Sequence, residues 1–227
     1  MRNAGTINGA PDAGSTADAQ SDGQNITFVT NASQQTNSFE KQNTYDGNTS
    51  TAMNGWTVKQ SQFDDTGQPG HVAGFVEMNR LYNPSGDLVA IETTGDSASN
   101  VPTASLGYHG EWNGRIAGTD YENGYVNVVV NTGTNQADLI VYDPTSTQVF
   151  INEAAGANTL NYNAANNTVT GAVVFDTGTQ TADGQAIMRL YGDHNSTNVY
   201  EGYVAGQAYT DAGEPFDALI GVIGIKR

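Results

Sequence analysis

The chain has 227 residues, enough for one all-β domain or for a barrel with a smaller partner, with a substantial core in either case. Eight Lys and Arg against 24 Asp and Glu leave a formal charge of −16, which repels phosphate backbones and argues against a nucleic-acid partner. There is no cysteine, hence no disulfide framework and no thiolate metal site or nucleophile, and no run of about 18 apolar residues marks a transmembrane helix. The acidity has two readings, solubility in a salty habitat and attraction to a basic macromolecule.

Hydrophobic residues make up only 37% of the chain, while Gly, Asn, Thr and Asp crowd it. That composition suits short strands joined by tight turns, since Gly and Asn supply the positive φ angles that hairpins need. In chain order, residues 1 to 23 have almost nothing to bury and read as a tether, and Met1 to Gln20 lacks the apolar core of a signal peptide. Residues 24 to 97 read as a small β-sheet. Ile26 to Val29 and Gly55 to Gln60 are strand candidates, and Asn31 to Thr51 is polar and reads as loop. His71 to Tyr82 and Asp87 to Thr93 are joined by Asn83-Pro84-Ser85-Gly86, a turn by its chemistry. Asp96 to Asn100 is the expected hinge.

Residues 98 to 227 read as a closed antiparallel barrel. Its first strand lies in Val-Pro-Thr-Ala-Ser-Leu-Gly-Tyr-His-Gly-Glu-Trp-Asn-Gly-Arg-Ile-Ala-Gly, residues 101 to 118. Strand alternation puts Leu106, Tyr108, Gly110, Trp112, Gly114 and Ile116 on one apolar face. Gly107, His109, Glu111, Asn113 and Arg115 take the wet one. Glycines alternating with large aromatics are costly unless the sheet curves sharply or another backbone passes close, as when a small barrel closes. Farther on, Val169, Gly171, Val173 and Phe175 share a face, and about eight or nine strands recur at spacings near 12 residues, the rhythm of an up-and-down barrel or sandwich. Leu106, Tyr108, Trp112, Ile116, Val169, Val173 and Phe175 are the expected barrel interior. Asp211 to Ala218 has room for one helical turn.

Pro102-Thr103-Ala104-Ser105 followed by Gly107-Tyr108-His109-Gly110-Glu111-Trp112-Asn113-Gly114 resembles the Pro-x-x-Gly-x-x-x-Tyr-x-Gly-x-Trp-x-Gly barrel opening of transferrin-binding-protein-B-like surface lipoproteins. Asn198 to Gly206 and Leu219 to Arg227 are similar to the last two barrel strands of that family. Ser105 stands where the family often has Gly, and its Phe-rich turn before the last strand is here only Glu214-Pro215-Phe216-Asp217-Ala218. The resemblance implies an all-β fold, an eight-stranded up-and-down barrel with a small N-terminal β handle. It implies a non-catalytic bacterial protein at the outer membrane surface or secreted, with a lipid-bearing cysteine upstream, capturing an extracellular iron-source protein or a small ligand. A structural or adhesive module is the other non-catalytic reading.

For catalysis, the nucleophile elbow Gly-x-Ser-x-Gly, the phosphate-cradling Gly-x-x-x-x-Gly-Lys and the zinc helix His-Glu-x-x-His are all absent. Acids scattered through loops leave a fortuitous glycosidase pair open. Of the three histidines, His71 follows Pro69-Gly70, His109 lies on the wet face of the first barrel strand, and His194 sits in the turn-like Tyr-Gly-Asp-His-Asn. The plain reading leaves all three at the surface. Some barrels resembling this one carry haem on such a histidine, and neutral imidazole suits iron. Phe75, Met78 and Tyr82 near His71 would then supply the apolar wall. Otherwise no cofactor or metal is expected: Asp176 to Gly184 and Tyr45 to Asn48 offer oxygens but not the twelve-residue calcium loop with its closing Glu. The surplus of 11 tyrosines over 7 phenylalanines fits either a protein interface or a barrel interior that is both filled and hydrogen-bonded.

Overall fold

The computed structural model describes residues 3–5, 17–21, 25–30, 35–40, 49–53, 56–64, 75–83, 85–152, 159–197 and 201–227. Among them all regular structure is β, in three antiparallel sheets. The first joins β1 (Asn3–Gly5), β2 (Ala17–Ser21), β3 (Asn25–Thr30) and β4 (Gln35–Glu40), and the second joins β5 (Thr49–Met53), β6 (Trp56–Asp64), β7 (Phe75–Tyr82) and β8 (Leu88–Gly95). Strand β4 and the start of β5 fall where the sequence reads as loop. Their Gln, Thr, Asn and Ser residues lack the apolar alternation by which a strand is recognised, yet all can pair through the backbone.

The third sheet is the barrel, made of β9 (Leu106–Ile116), β10 (Thr119–Asn131), β11 (Gln136–Tyr142), β13 (Thr159–Asn163), β14 (Thr168–Asp176), β15 (Thr181–Gly192), β16 (Gly202–Thr210) and β17 (Ala218–Lys226). Each pairs with the next, and β17 returns to β9, so the eight strands close. The short β12 (Val149–Ile151) is an extra strand on β11. Residues 211 to 217 form turns and bends rather than a helical turn, Ala218 opens β17, and Phe216 inserts into the core there.

Closure explains the glycines of β9. A Cβ on Gly110 would lie 2.0 Å from the Ile223 carbonyl oxygen, and one on Gly114 would lie 2.3 Å from that of Leu219. Backbone of β17 therefore occupies the space a side chain would need. The β9–β10 connection is the two-residue turn Ala117-Gly118, both with positive φ, matching the twist of the flanking strands. The predicted Asn83 to Gly86 turn is present, with Asn83 Oδ1 accepting from the amides of Ser85 and Asp87.

The barrel has no empty bore among the described residues. Tyr108, Trp112, Ile116, Val169, Val173 and Phe175 lie in one buried cluster with inward residues of every other barrel strand, and Leu106 packs against it. A second cluster lies outside the barrel wall, where Val76, Met78, Tyr82, Leu88 and Ile91 of β7 and β8 pack on Tyr191, Tyr203, Ala205, Leu219 and Ile223. Strands β16 and β17 are accordingly buried on both faces.

Candidate functional site

One end of the lumen is closed by a polar latch. Tyr108, pointing inward from β9, places its hydroxyl 2.9 Å from Nδ1 of His194 in the loop after β15. His194 is only 2% exposed, which corrects its expected place at the surface. The loop is folded over it by residues remote in sequence. Asn100 Oδ1 accepts from the His194 amide, Asn100 Nδ2 donates to Asp193, and Asn195 accepts from the Thr103 amide and donates to the Val101 carbonyl. From β17, Lys226 donates to the carbonyls of Asp193, His194 and Ser196, the last at 2.6 Å.

The electrostatics follow from this enclosure. Burial first, and then the Lys226 ammonium, push His194 down to about 4, against the opposing pull of Asp193. Burial holds the Tyr108 phenol far above its usual range and lowers the Lys226 ammonium. Asp193 is held below the ordinary carboxylate range, chiefly by the Asn100 hydrogen bond. The neutral imidazole suits a ring accepting the Tyr108 proton at Nδ1. Tyr108, His194 and Lys226 are all almost fully enclosed, and together they fasten the loop to the barrel.

The other end is closed by rings. Trp112, Tyr121 and Phe150 lie with centroids 5.0 to 5.7 Å apart, and Trp112 Nε1 donates to the Tyr142 carbonyl. A bulge between Tyr121 and Gly124 lets the indole pass, since a Cβ at Gly124 would strike it.

The second sheet itself holds buried polar and charged groups on both of its faces. Glu77, Asn79, Arg80 and Glu92 are all enclosed, and Asn79 Nδ2 donates to Glu77 at 3.0 Å and to Glu92 at 2.8 Å. Arg80 donates to Ser61. Ion pairs bind the rim: Lys59 with Glu122, and Arg115 with Asp87 and Asp120. The Arg115 hydrogen bond lowers Asp87, and that of Lys59 lowers Glu122.

Of the candidate ligand residues, Met78 and Tyr82 are packed between sheet and barrel, with Lys59 Nζ 5.2 Å from the Tyr82 ring centre. Phe75 begins β7, and His71 lies outside the described residues, as does Tyr45 to Asn48. His109 is exposed on the outer barrel wall. Asp176 to Gly184 is a hairpin in which Asp176 accepts from the Gly178 amide. Among the described residues no three His, Asp or Glu side chains converge as a metal site, and no helix is long and apolar enough to cross a membrane. An open polar cleft of about 210 Å³, lined by Ser97, Asn166, Asn167 and Arg189, is below the roughly 300 Å³ at which small-molecule pockets begin.

These features define an all-β protein of the barrel-and-handle class, with a plugged lumen and a β-sheet docked on the barrel wall. No family model matches the chain, and no curated protein matches it in sequence. In structure it is similar to the isotype 1 transferrin binding protein B from serogroup B Neisseria meningitidis, at a TM-score of 0.56 and 12% identity. The match covers 93% of this chain and 52% of that one, so the chain spans about half the length of the solved structure. The fold is thus the transferrin-binding-protein-B-like fold that the barrel opening and closing strands resemble.

Proposed function

We propose that the chain is a non-catalytic, ligand-capturing barrel of the transferrin-binding protein B type, displayed at a bacterial outer membrane surface or secreted, with an extracellular iron-source protein as its foremost ligand. The observation that carries this reading is a likeness in fold spanning 93% of the chain, in a barrel whose lumen its own side chains fill. A filled lumen leaves the outer wall and the loops to recognise a ligand, with the barrel as rigid support. In this reading residues 98–227 are the barrel and the sheets before it the handle, β1 and β2 included where the sequence reads as a tether, with a lipid anchor ahead of them, and no cofactor takes part.

The test is to immobilise the chain, present iron-carrier proteins including transferrin, and titrate the same chain with haemin. Saturable protein capture without a Soret shift supports the reading. A Soret shift without protein capture replaces it with a haem carrier, and neither response leaves the structural module.

A further inference from the structure

We propose that the outer wall of β9, β10 and β11, centred on Tyr125 and Val129, is the face on which the captured protein docks, and that the partner presents a cationic surface rich in lysine or arginine. This rests on the capture reading and adds the face and the charge.

Register fixes the wall. Tyr125 lies between Glu111 and Tyr142, Asn127 between His109 and Ile140, and Val129 between Gly107 and Asp138. Tyr125 is 55% exposed and Val129 41%, although the alternating inward residues Val126, Val128 and Val130 already supply the core. An outward strand face bearing tyrosine, valine and isoleucine together departs from the polar exterior that alternation normally gives. The same barrel shows what such a wall does when covered. On β16 and β17 the outward Tyr203, Leu219 and Ile223 are buried under β7 and β8. The wall of β10 and β11 has similar chemistry, with Tyr125 and Val129 exposed and Ile140 and Tyr142 half-buried.

Charge selects the partner. The chain has eight Lys and Arg, and the described ones are largely committed within the fold. Lys59 pairs with Glu122 and Arg115 with Asp87 and Asp120, Lys226 clamps the 193–196 loop, Arg80 is buried on Ser61, and Arg189 donates to the Asn166 carbonyl. Exposed Arg227, whose amide bonds Gly107 at one edge of the wall, is the exception. Around the wall stand Glu111, Asp138 and, just past β11, Asp143, whose carboxyl is held at about 2 by the Gln148 amide and the Thr145 hydroxyl. A net charge of −16 opposes docking of a second copy and draws a cationic surface. The Tyr125 and Tyr142 rings offer faces to lysine or arginine, and an aromatic centre with a charged rim is the usual anatomy of a protein interface.

The test uses hen lysozyme and cytochrome c as basic folded probes and serum albumin as an acidic one, on the immobilised full chain at about 50 and 300 mM salt. Tyr125→Ser with Val129→Ser leaves the charge unchanged, and Ile187→Ser, on the exposed wall of β15, is the control. The expected result is saturable binding of a basic probe, weakened by salt, lost at least tenfold in the Tyr125/Val129 variant and kept in Ile187→Ser, with no binding of albumin. Equal binding by the Tyr125/Val129 variant means diffuse attraction and overturns the face while leaving capture intact. Albumin binding as well as lysozyme overturns the charge. Self-association of the wild type that Tyr125→Ser abolishes, read by sedimentation velocity, makes the wall a contact between copies. Absence of any captured protein, iron carriers included, strikes the capture reading itself.

Discussion

The hydroxyl of Tyr108 and Nδ1 of His194, 86 residues apart in sequence, lie 2.9 Å from each other and join the first barrel strand to the loop that caps its lumen. The contact makes the cap sensitive to the charge of one imidazole. Protonation there would place a cation beside Lys226 in an enclosed site, facing Tyr108 from β9, with Asp193 as the counter-charge beside it.

The folded value of His194, about 4, lies below its ordinary 6.5, so the unfolded chain binds the extra proton first as pH falls. The stability this group supplies is therefore complete above pH 6.5 and is lost between 6.5 and about 4, on the order of 3 kcal/mol in all. Urea unfolding at pH 7, 6, 5 and 4 should show that decline. In His194→Asn the decline over the same window should be shallower, from a starting stability about 1 kcal/mol lower for the lost hydrogen bond.

Lys226→Met keeps the buried stem and removes the ammonium that bonds three carbonyls of the 193–196 loop. The expected loss is about 2 kcal/mol, the scale of hydrogen bonds to a charged group. Hydrogen exchange should locate it: amides of residues 193 to 197 lose protection, while those of β14 keep theirs.

Glycines at two close approaches should differ in tolerance. A methyl at Gly110 meets the backbone of Ile223 and Gly224, which cannot yield without opening the β9–β17 closure, so Gly110→Ala should cost about 3 kcal/mol or more. At Gly221 the obstacle is the Met78 thioether, the end of a flexible side chain. Gly221→Ala should cost about 1 kcal/mol, and Gly221→Leu should lift β7 from the barrel wall. Thermal melts rank the first pair, and limited proteolysis of residues 75 to 95 reads the last.

The barrel was legible because β9 carries its plan in the open. Alternation separates Tyr108 and Trp112 from His109 and Glu111, and the glycines between them announce a close backbone. The burial of His194 was not legible, since Asp193 and Asn195 beside it read as turn, and the enclosing groups, Asn100 and Lys226, come from distant parts of the chain. The docked sheet also leaves a mark in the sequence. Gly202 to Thr210 and Ala218 to Lys226 are almost continuously apolar, which is how a strand covered on both faces reads. In β7, Glu77 and Arg80 point to opposite faces, and by pattern each reads as solvated; both are buried nonetheless, Arg80 on the face that Val76 and Met78 turn to the barrel.

The chain's own side chains occupy the lumen, which leaves the outer wall and the loops as the surfaces open to a ligand. Trp112 reports on it once Trp56, the other tryptophan, is replaced by Phe. In that variant the account predicts blue-shifted emission, poor quenching by acrylamide and no saturable change on adding haemin or a fatty acid. Red-shifted, freely quenched emission, or a saturable response to either small ligand, would contradict it.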